Sequence, residues 1–294
     1  MIKILCDSMS DIPLDIIKKY NIGIIPLTVI FNNKEYLDGD NLIKDEFYKM
    51  LRRTDMMPKT SQATYHQFET EFKKYDKSTE VLYIAGSSSA SGTYQSAMLA
   101  KNDGYNNVHI LDTQNLSMGS GLFVIKACEM VEKGYSINAI ITTLEELKAN
   151  VEVAFSVDTL EYLKMGGRIS ATKAALGNLL SIKPILEIED GLVVQKTQVR
   201  GKKQVYSTLA KIISEKFGKD LRDKTIIIGC GDNSEDLETL KESLEKVSLR
   251  FFCTSSLFNQ DICFLICSDI YCIDLFYFQI FQLCLSFCFH VSSF

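Results

Sequence analysis

The sequence predicts an α/β protein of two domains: an N-terminal open, mostly parallel sheet with helices, then a C-terminal α+β domain. Three observations carry that expectation. Across residues 1–150, short apolar runs alternate with segments of helical period, separated by polar loops. Across residues 151–250 the pattern changes to β-rich runs joined by a tight turn and followed by amphipathic helices. At 294 residues, the chain is longer than one ordinary core requires. The boundary is expected near Asn150, and residues 251–294 stand apart as an apolar tail.

The first apolar run, residues 2–6, stops at Asp7-Ser8-Met9-Ser10-Asp11, and Pro13 opens a helix carrying Leu14, Ile16, Ile17 and Tyr20. Residues 23–31 read as a second extended stretch, closed by the turn Asn32-Asn33-Lys34. Residues 43–52 have helical spacing, and residues 58–64 form a polar loop before a helix with Tyr65, Phe68 and Phe72 on one side. Residues 81–85 read as a buried strand. They run into Gly86-Ser87-Ser88-Ser89-Ala90-Ser91-Gly92, after which Thr93 starts a helix. A strand at 108–111 ends at Asp112-Thr113, and helices follow at 119–133 and 138–148. Open α/β sheets place ligands beyond the carboxyl ends of their strands. Here those ends are Asp7-Ser8, residues 86–92 and Asp112-Thr113, all small or polar.

In the second part, residues 152–157 read as a strand, and 159–164 as a helix broken by Gly166-Gly167-Arg168-Ile169. A further helix is expected at 174–180. Residues 183–189 and 192–199 are two β-rich runs joined by Asp190-Gly191, a hairpin signature. A helix at 204–217, a strand at 225–229 and a helix at 235–247 complete the domain.

Composition excludes several classes. A net charge of −5 argues against a nucleic-acid-binding surface, although a local basic patch fits within it. Sixteen Gly and four Pro exclude collagen-like and Pro-rich chains. Cys6, Cys128 and Cys230 are widely spaced in apolar runs, as expected of free thiols in a reducing compartment. The first residues read as a strand rather than a signal peptide, so a cytoplasmic protein is expected. The tail differs sharply. It holds six of the nine Cys and ten of the seventeen Phe, with no Lys, Arg, Gly or Pro.

The Ser-rich loop is the strongest local feature. Small residues between a buried strand and a helix direct N–H groups and hydroxyls at one volume, where the helix start adds partial positive charge. Carboxylate and phosphate are the matching ligands; the plain alternative is that Ser91 or Thr93 caps the helix. Thr60-Ser61-Gln62 opens a helix in the same way, with Ser61 or Thr64 as the alternative cap. Two hydroxyl-rich helix starts that converge can grip one carboxylate without reacting with it. Residues 86–90 also match a relaxed nucleophile elbow, with Ser88 as the nucleophile of a serine hydrolase. That reading needs a base, and the histidines are His66, His109 and His290. No Walker A, dinucleotide or paired zinc-type motif occurs, so no cofactor and no metal are expected. Arg168, Arg200, Lys202 and Lys203 offer either a solvated surface or a dock for an acidic partner.

The ordered set of motifs resembles the DegV family. It comprises Asp7-Ser8-Met9-Ser10-Asp11, Ile25-Pro26-Leu27-Thr28-Val29, Pro58-Lys59-Thr60-Ser61-Gln62 and Ser91-Gly92-Thr93-Tyr94-Gln95-Ser96-Ala97. Asp158-Thr159-Leu160-Glu161-Tyr162-Leu163-Lys164-Met165-Gly166-Gly167-Arg168-Ile169, Lys183-Pro184-Ile185-Leu186 and Asp190-Gly191 continue it, so that it spans about residues 1–247. The resemblance implies a two-domain α/β carrier, not an enzyme. It implies one bound long-chain fatty acid, such as a C16–C18 acid, whose acyl chain lies in an apolar tunnel between the domains. Thr60 and Ser91 are implied to hold the carboxylate, with Ser61 and the rest of the Ser-rich loop, Ser88 included, lining it. A separate fatty-acid kinase is the implied partner, contacted at Arg168 and Arg200. The sequence departs from the family at its end, where a His-x-Gly-Pro-Gly-x-x-Gly segment is expected and neither Gly nor Pro occurs beyond Gly231. The tail therefore reads as a shifted reading frame or mispredicted gene end, as a divergent closing element, or as a membrane span over residues 270–289.

Overall fold

A computed structural model describes residues 1–51, 53, 58–157, 160–169, 182–218, 221, 224–229, 234–247, 263–267 and 270–273. The chain clusters into two compact units, Met1–Ala149 and Asn150–Phe294. It is a mixed α/β protein; the first unit holds a four-stranded and a three-stranded sheet, the second a six-stranded one.

The first unit begins with β1 (Ile2–Asp7), a 3-10 turn at Ser8–Ser10, α1 (Leu14–Tyr20) and β2 (Gly23–Ile25). Next come β3 (Thr28–Phe31), β4 (Lys34–Leu37), α2 (Lys44–Leu51), β5 (Lys59–Ser61) and α3 (Tyr65–Phe72). Then β6 (Glu80–Ala85), α4 (Thr93–Asn102), β7 (Val108–Asp112), α5 (Met118–Glu132) and α6 (Ile137–Leu147) follow. The main sheet is fully parallel, in the order β2-β1-β6-β7. Val81, Leu82, Tyr83 and Ile84 are all fully buried, so this sheet is covered on both faces, as parallel sheets are. The strand order reverses direction at β1, which puts the crevice of the sheet at the carboxyl ends of β1 and β6.

One expected strand is two. Pro26 has no N–H to continue a ladder, and the chain leaves the parallel sheet there. After Pro26 it enters a separate antiparallel sheet in the order β4-β3-β5. Asn32 and Asn33 take φ of 51° and 61°, the two left-handed positions that close a tight hairpin between β3 and β4. The segment read as a polar loop at 58–64 supplies β5, which sets Thr60 opposite Val29 and Ser61 opposite Thr28.

The second unit runs β8 (Glu152–Ser156), α7 (Glu161–Gly166), β9 (Ile182–Glu189), β10 (Leu192–Arg200), α8 (Lys202–Phe217), β11 (Lys224–Gly229) and α9 (Ser234–Val247), with β12 (Cys263–Cys267) and β13 (Ile270–Ile273) beyond. Its mixed sheet has the order β10-β9-β8-β13-β11-β12. Asp190 and Gly191 have φ of 51° and 77°, the turn that an Asp-Gly pair between β-rich runs requires. Val205, Tyr206, Leu209, Ala210 and Ile213 form one apolar stripe of α8, buried with Ala154, Ile185, Ile226 and Ile228 of the sheet and with Leu240 and Leu244 of α9. The tail enters this sheet: β13 lies parallel to β8 and β11, and β12 runs antiparallel to β11. The expected helix at 174–180 and the residues Cys230 and His290 lie outside the described residues. Among the described residues, no helix is long and apolar enough to cross a membrane.

Candidate functional site

The carboxyl ends of β1, β6 and β7 meet around the Ser-rich loop, and two aspartates hold that loop from below. Asp7, the last residue of β1, is fully buried. Its carboxylate accepts the Tyr83 hydroxyl at 2.6 Å, the Gly86 N–H at 3.4 Å and the Met9 N–H at 3.1 Å. Burial pushes the Asp7 carboxyl up to about 6, against the pull of those hydrogen bonds. Asp112, the last residue of β7, accepts the Ser88 N–H at 3.2 Å and the Gln114 N–H at 3.0 Å.

The remaining loop amides also turn inward. Ser89 N–H donates to Ser87 Oγ, and the Ala90 and Ser91 N–H groups donate to the Ser87 carbonyl. The expectation that loop amides face a ligand is therefore corrected. Five of the seven loop amides are taken, two by the strand-end aspartates and three by Ser87, so hydroxyls are the larger part of what the loop can offer. Ser88 and Ser91 are half-buried, while Ser87 is buried.

At the start of α4 the N-cap position falls on Gly92, between the two expected candidates. Gly92 has no side chain to cap with, but Ser91 Oγ accepts the Thr93 N–H, the first of α4, at 3.3 Å. Thr64 caps α3, in a reciprocal capping box with Gln67, so Thr60 and Ser61 are not used as caps. The two hydroxyl-rich segments do converge. Ala63 N–H donates to Thr93 Oγ1 at 3.2 Å, and Thr93 Oγ1 lies 2.9 Å from Ser91 Oγ. Gln62 Nε2 donates to Ser96 Oγ at 3.0 Å, which ties the end of β5 to the first turn of α4. A Cβ on Gly92 would collide with the Gln62 amide, so any larger residue here displaces that side chain. Thr60 is half-buried and Ser61 exposed, both on the strand that leads into this contact.

A second buried carboxyl lies nearby. Asp38 is 6% exposed, and burial, together with the charge of Asp7, pushes it up to about 6 against a hydrogen bond from Ser8. Ser8 Oγ in turn accepts the Leu27 N–H at 3.1 Å. Sequence reasoning noted Asp7 and Asp112 only as polar strand ends, and it missed Asp38 and the roles of Gln62 and Thr93.

Nothing supports the hydrolase reading: among the described residues, both histidines lie against carboxylates. His109 pairs with Glu80 at 2.7 Å, and Glu80 opens β6 at the end of the strand opposite the Ser-rich loop. His66 is exposed and lies 3.5 Å from Glu69. Among the described residues, no cluster of three or more metal-ligating side chains occurs.

In the second unit, both predicted docking arginines are attached to β10, the edge strand. The Arg168 carbonyl accepts the Val193 N–H at 3.1 Å, and Arg200 ends that strand with its N–H on Gln204 Oε1 at 3.2 Å.

Comparison with known proteins fits this architecture. Residues 1–258 match the family model described as an uncharacterised protein, DegV family. A DegV domain-containing protein of Caldanaerobacter subterraneus is 36% identical over 245 residues, which is 83% of this chain and 87% of that protein. Among solved structures, a fatty-acid-binding DegV family protein from Thermus thermophilus superposes with a TM-score of 0.77 at 28% identity, over 93% of this chain and 91% of that one. A DegV lipid-binding protein from Thermotoga maritima gives 0.76 at 29% identity, over 90% of this chain and 97% of that one. With the parallel sheet, the Ser-rich loop and the hydroxyl-bearing β5 in place, the chain belongs to the DegV family.

Proposed function

We propose that this protein binds one long-chain fatty acid and holds its carboxylate with the hydroxyls of Thr60 and Ser91, beside Ser61 and Ser88. The observation that carries the reading is the contact through Ala63, Thr93 and Ser91, which joins the segment following β5 to the Ser-rich loop. The fatty-acid-binding and lipid-binding functions of the Thermus and Thermotoga relatives support it. The energetics are adequate. Removing a C16 chain from water gains about 0.8 kcal/mol per CH₂, on the order of 10 kcal/mol before ordering costs. The head group then needs hydrogen bonds rather than an ion pair.

The protein acts as a carrier and leaves chemistry to a partner. A separate fatty-acid kinase receives the exposed carboxylate, and Arg168 and Arg200 on the β10 edge contact it. Native mass spectrometry of the purified full chain tests the head-group assignment. A bound C16–C18 acid is expected. Thr60→Ala combined with Ser91→Ala removes two donors worth about 1.5–3 kcal/mol each and should strip most of that occupancy. Unchanged occupancy in the double variant would refute the assignment.

A further inference from the structure

We infer that Thr93 is a positioning residue that fixes Ser91 as an outward hydrogen-bond donor and so makes the site select an anionic head group over a cationic one. The inference rests on the fatty-acid reading above and adds to it the origin of head-group selectivity. A hydroxyl carries one proton and two acceptor positions. Thr93 is 1% exposed, and its Oγ1 already accepts the Ala63 N–H at 3.2 Å. Thr93 Oγ1 and Ser91 Oγ are 2.9 Å apart, and one of them donates to the other.

Suppose Ser91 donates. Thr93 Oγ1 then accepts twice, and its own proton is buried without an acceptor, which carries the full desolvation penalty of an unmet donor. Suppose instead that Thr93 donates. Its proton is satisfied and its oxygen keeps the Ala63 bond. The second arrangement leaves nothing unmet, so the proton lies on the Thr93 side of the pair.

The consequence falls on Ser91. Its Oγ accepts the Thr93 hydroxyl and also the Thr93 N–H at 3.3 Å, which fills both acceptor positions. The Ser91 proton is then the group left to offer, and Ser91 is only half-buried. A hydroxyl confined to donating suits a carboxylate, which only accepts. It gives nothing to an alkylammonium head, which only donates.

The test measures affinities of the delipidated full chain for palmitate and for hexadecylamine by isothermal titration calorimetry. Wild type should prefer palmitate by at least about tenfold, the value of one charge-assisted hydrogen bond. Thr93→Val removes the hydroxyl at nearly constant volume and frees an acceptor position on Ser91. The palmitate-to-amine preference should fall by about tenfold, through loss of palmitate affinity with amine affinity kept or raised. Thr93→Ser retains the hydroxyl and should restore the wild-type preference. Equal weakening of both ligands by Thr93→Val means a merely structural role and overturns the inference. If Thr93→Val does not fold, Thr93→Ala carries the test: a collapsed preference with amine affinity kept supports the inference, and equal weakening of both ligands overturns it. Wild type that binds palmitate without preference over the amine overturns the donor argument while leaving fatty-acid binding intact. Wild type that binds no palmitate overturns both.

Discussion

Replacing Asp38 by Asn should change how stability depends on pH, with a sign and size set by burial. The Asp38 carboxyl is nearly inaccessible and is pushed up from 3.8 to about 6. Between those two values the folded chain binds more protons at this position than the unfolded chain does. Stability from this group is therefore highest in acid and falls as pH rises toward and through about 6. A shift of about two units corresponds to ~3 kcal/mol over the whole range, of which about 2 kcal/mol falls between pH 4.5 and 7.5. Asn cannot titrate, and its carbonyl can keep the Ser8 hydroxyl as a donor. The variant should thus gain about 2 kcal/mol on wild type when pH is raised from 4.5 to 7.5, read from urea unfolding of both proteins at both pH values. A wild-type-to-variant difference that stays constant, or that moves the other way, would mean that Asp38 is solvated or ion-paired in the folded chain and that the burial argument is wrong.

Two further outcomes are expected. Gly92→Ala places a methyl group against Gln62 and breaks its hydrogen bond to Ser96, so the melting temperature should fall by the equivalent of about 1 kcal/mol; an unshifted melting curve would show that the Gln62 contact contributes nothing. Truncation after residue 262 removes β13, which has four registered pairs with β8 and four with β11, and leaves both as open apolar edges. The truncated chain should aggregate on size-exclusion chromatography, and a monodisperse, folded product would count against β13 as a strand of that sheet.

Legibility in the sequence followed the length and composition of each element. The strands at β6 and β7, the helices after them and the Asp190-Gly191 hairpin were readable because each has several residues of one period or a turn pair with one backbone solution. The β4-β3-β5 sheet was not. Its strands are three or four residues long, too short to show a period, and Lys59-Thr60-Ser61 is polar throughout. Strands β12 and β13 were hidden by a tail whose uniform Phe, Ile and Cys content has no alternation to read. At the site, the loop of small residues was visible as a loop. The hydrogen bonds that orient it were not, because Asp7 and Tyr83 are 76 residues apart and meet only through strand pairing.

Those long-range bonds decide what kind of ligand the loop suits. A glycine-rich loop that cradles phosphate leaves its amides open and adds them to a helix N-terminus. In this chain the Gly86 and Ser88 amides are occupied by Asp7 and Asp112, and the next three turn back onto Ser87. The accessible residues of the loop, Ser88, Ser89 and Ser91, carry neutral hydroxyls beside the start of α4. A singly charged carboxylate, held by a few hydroxyl donors and anchored chiefly by its apolar chain, matches that surface. Its head group is released at the expense of a few hydrogen bonds and without breaking an ion pair, which is the balance a carrier needs if another protein is to act on the same oxygen atoms.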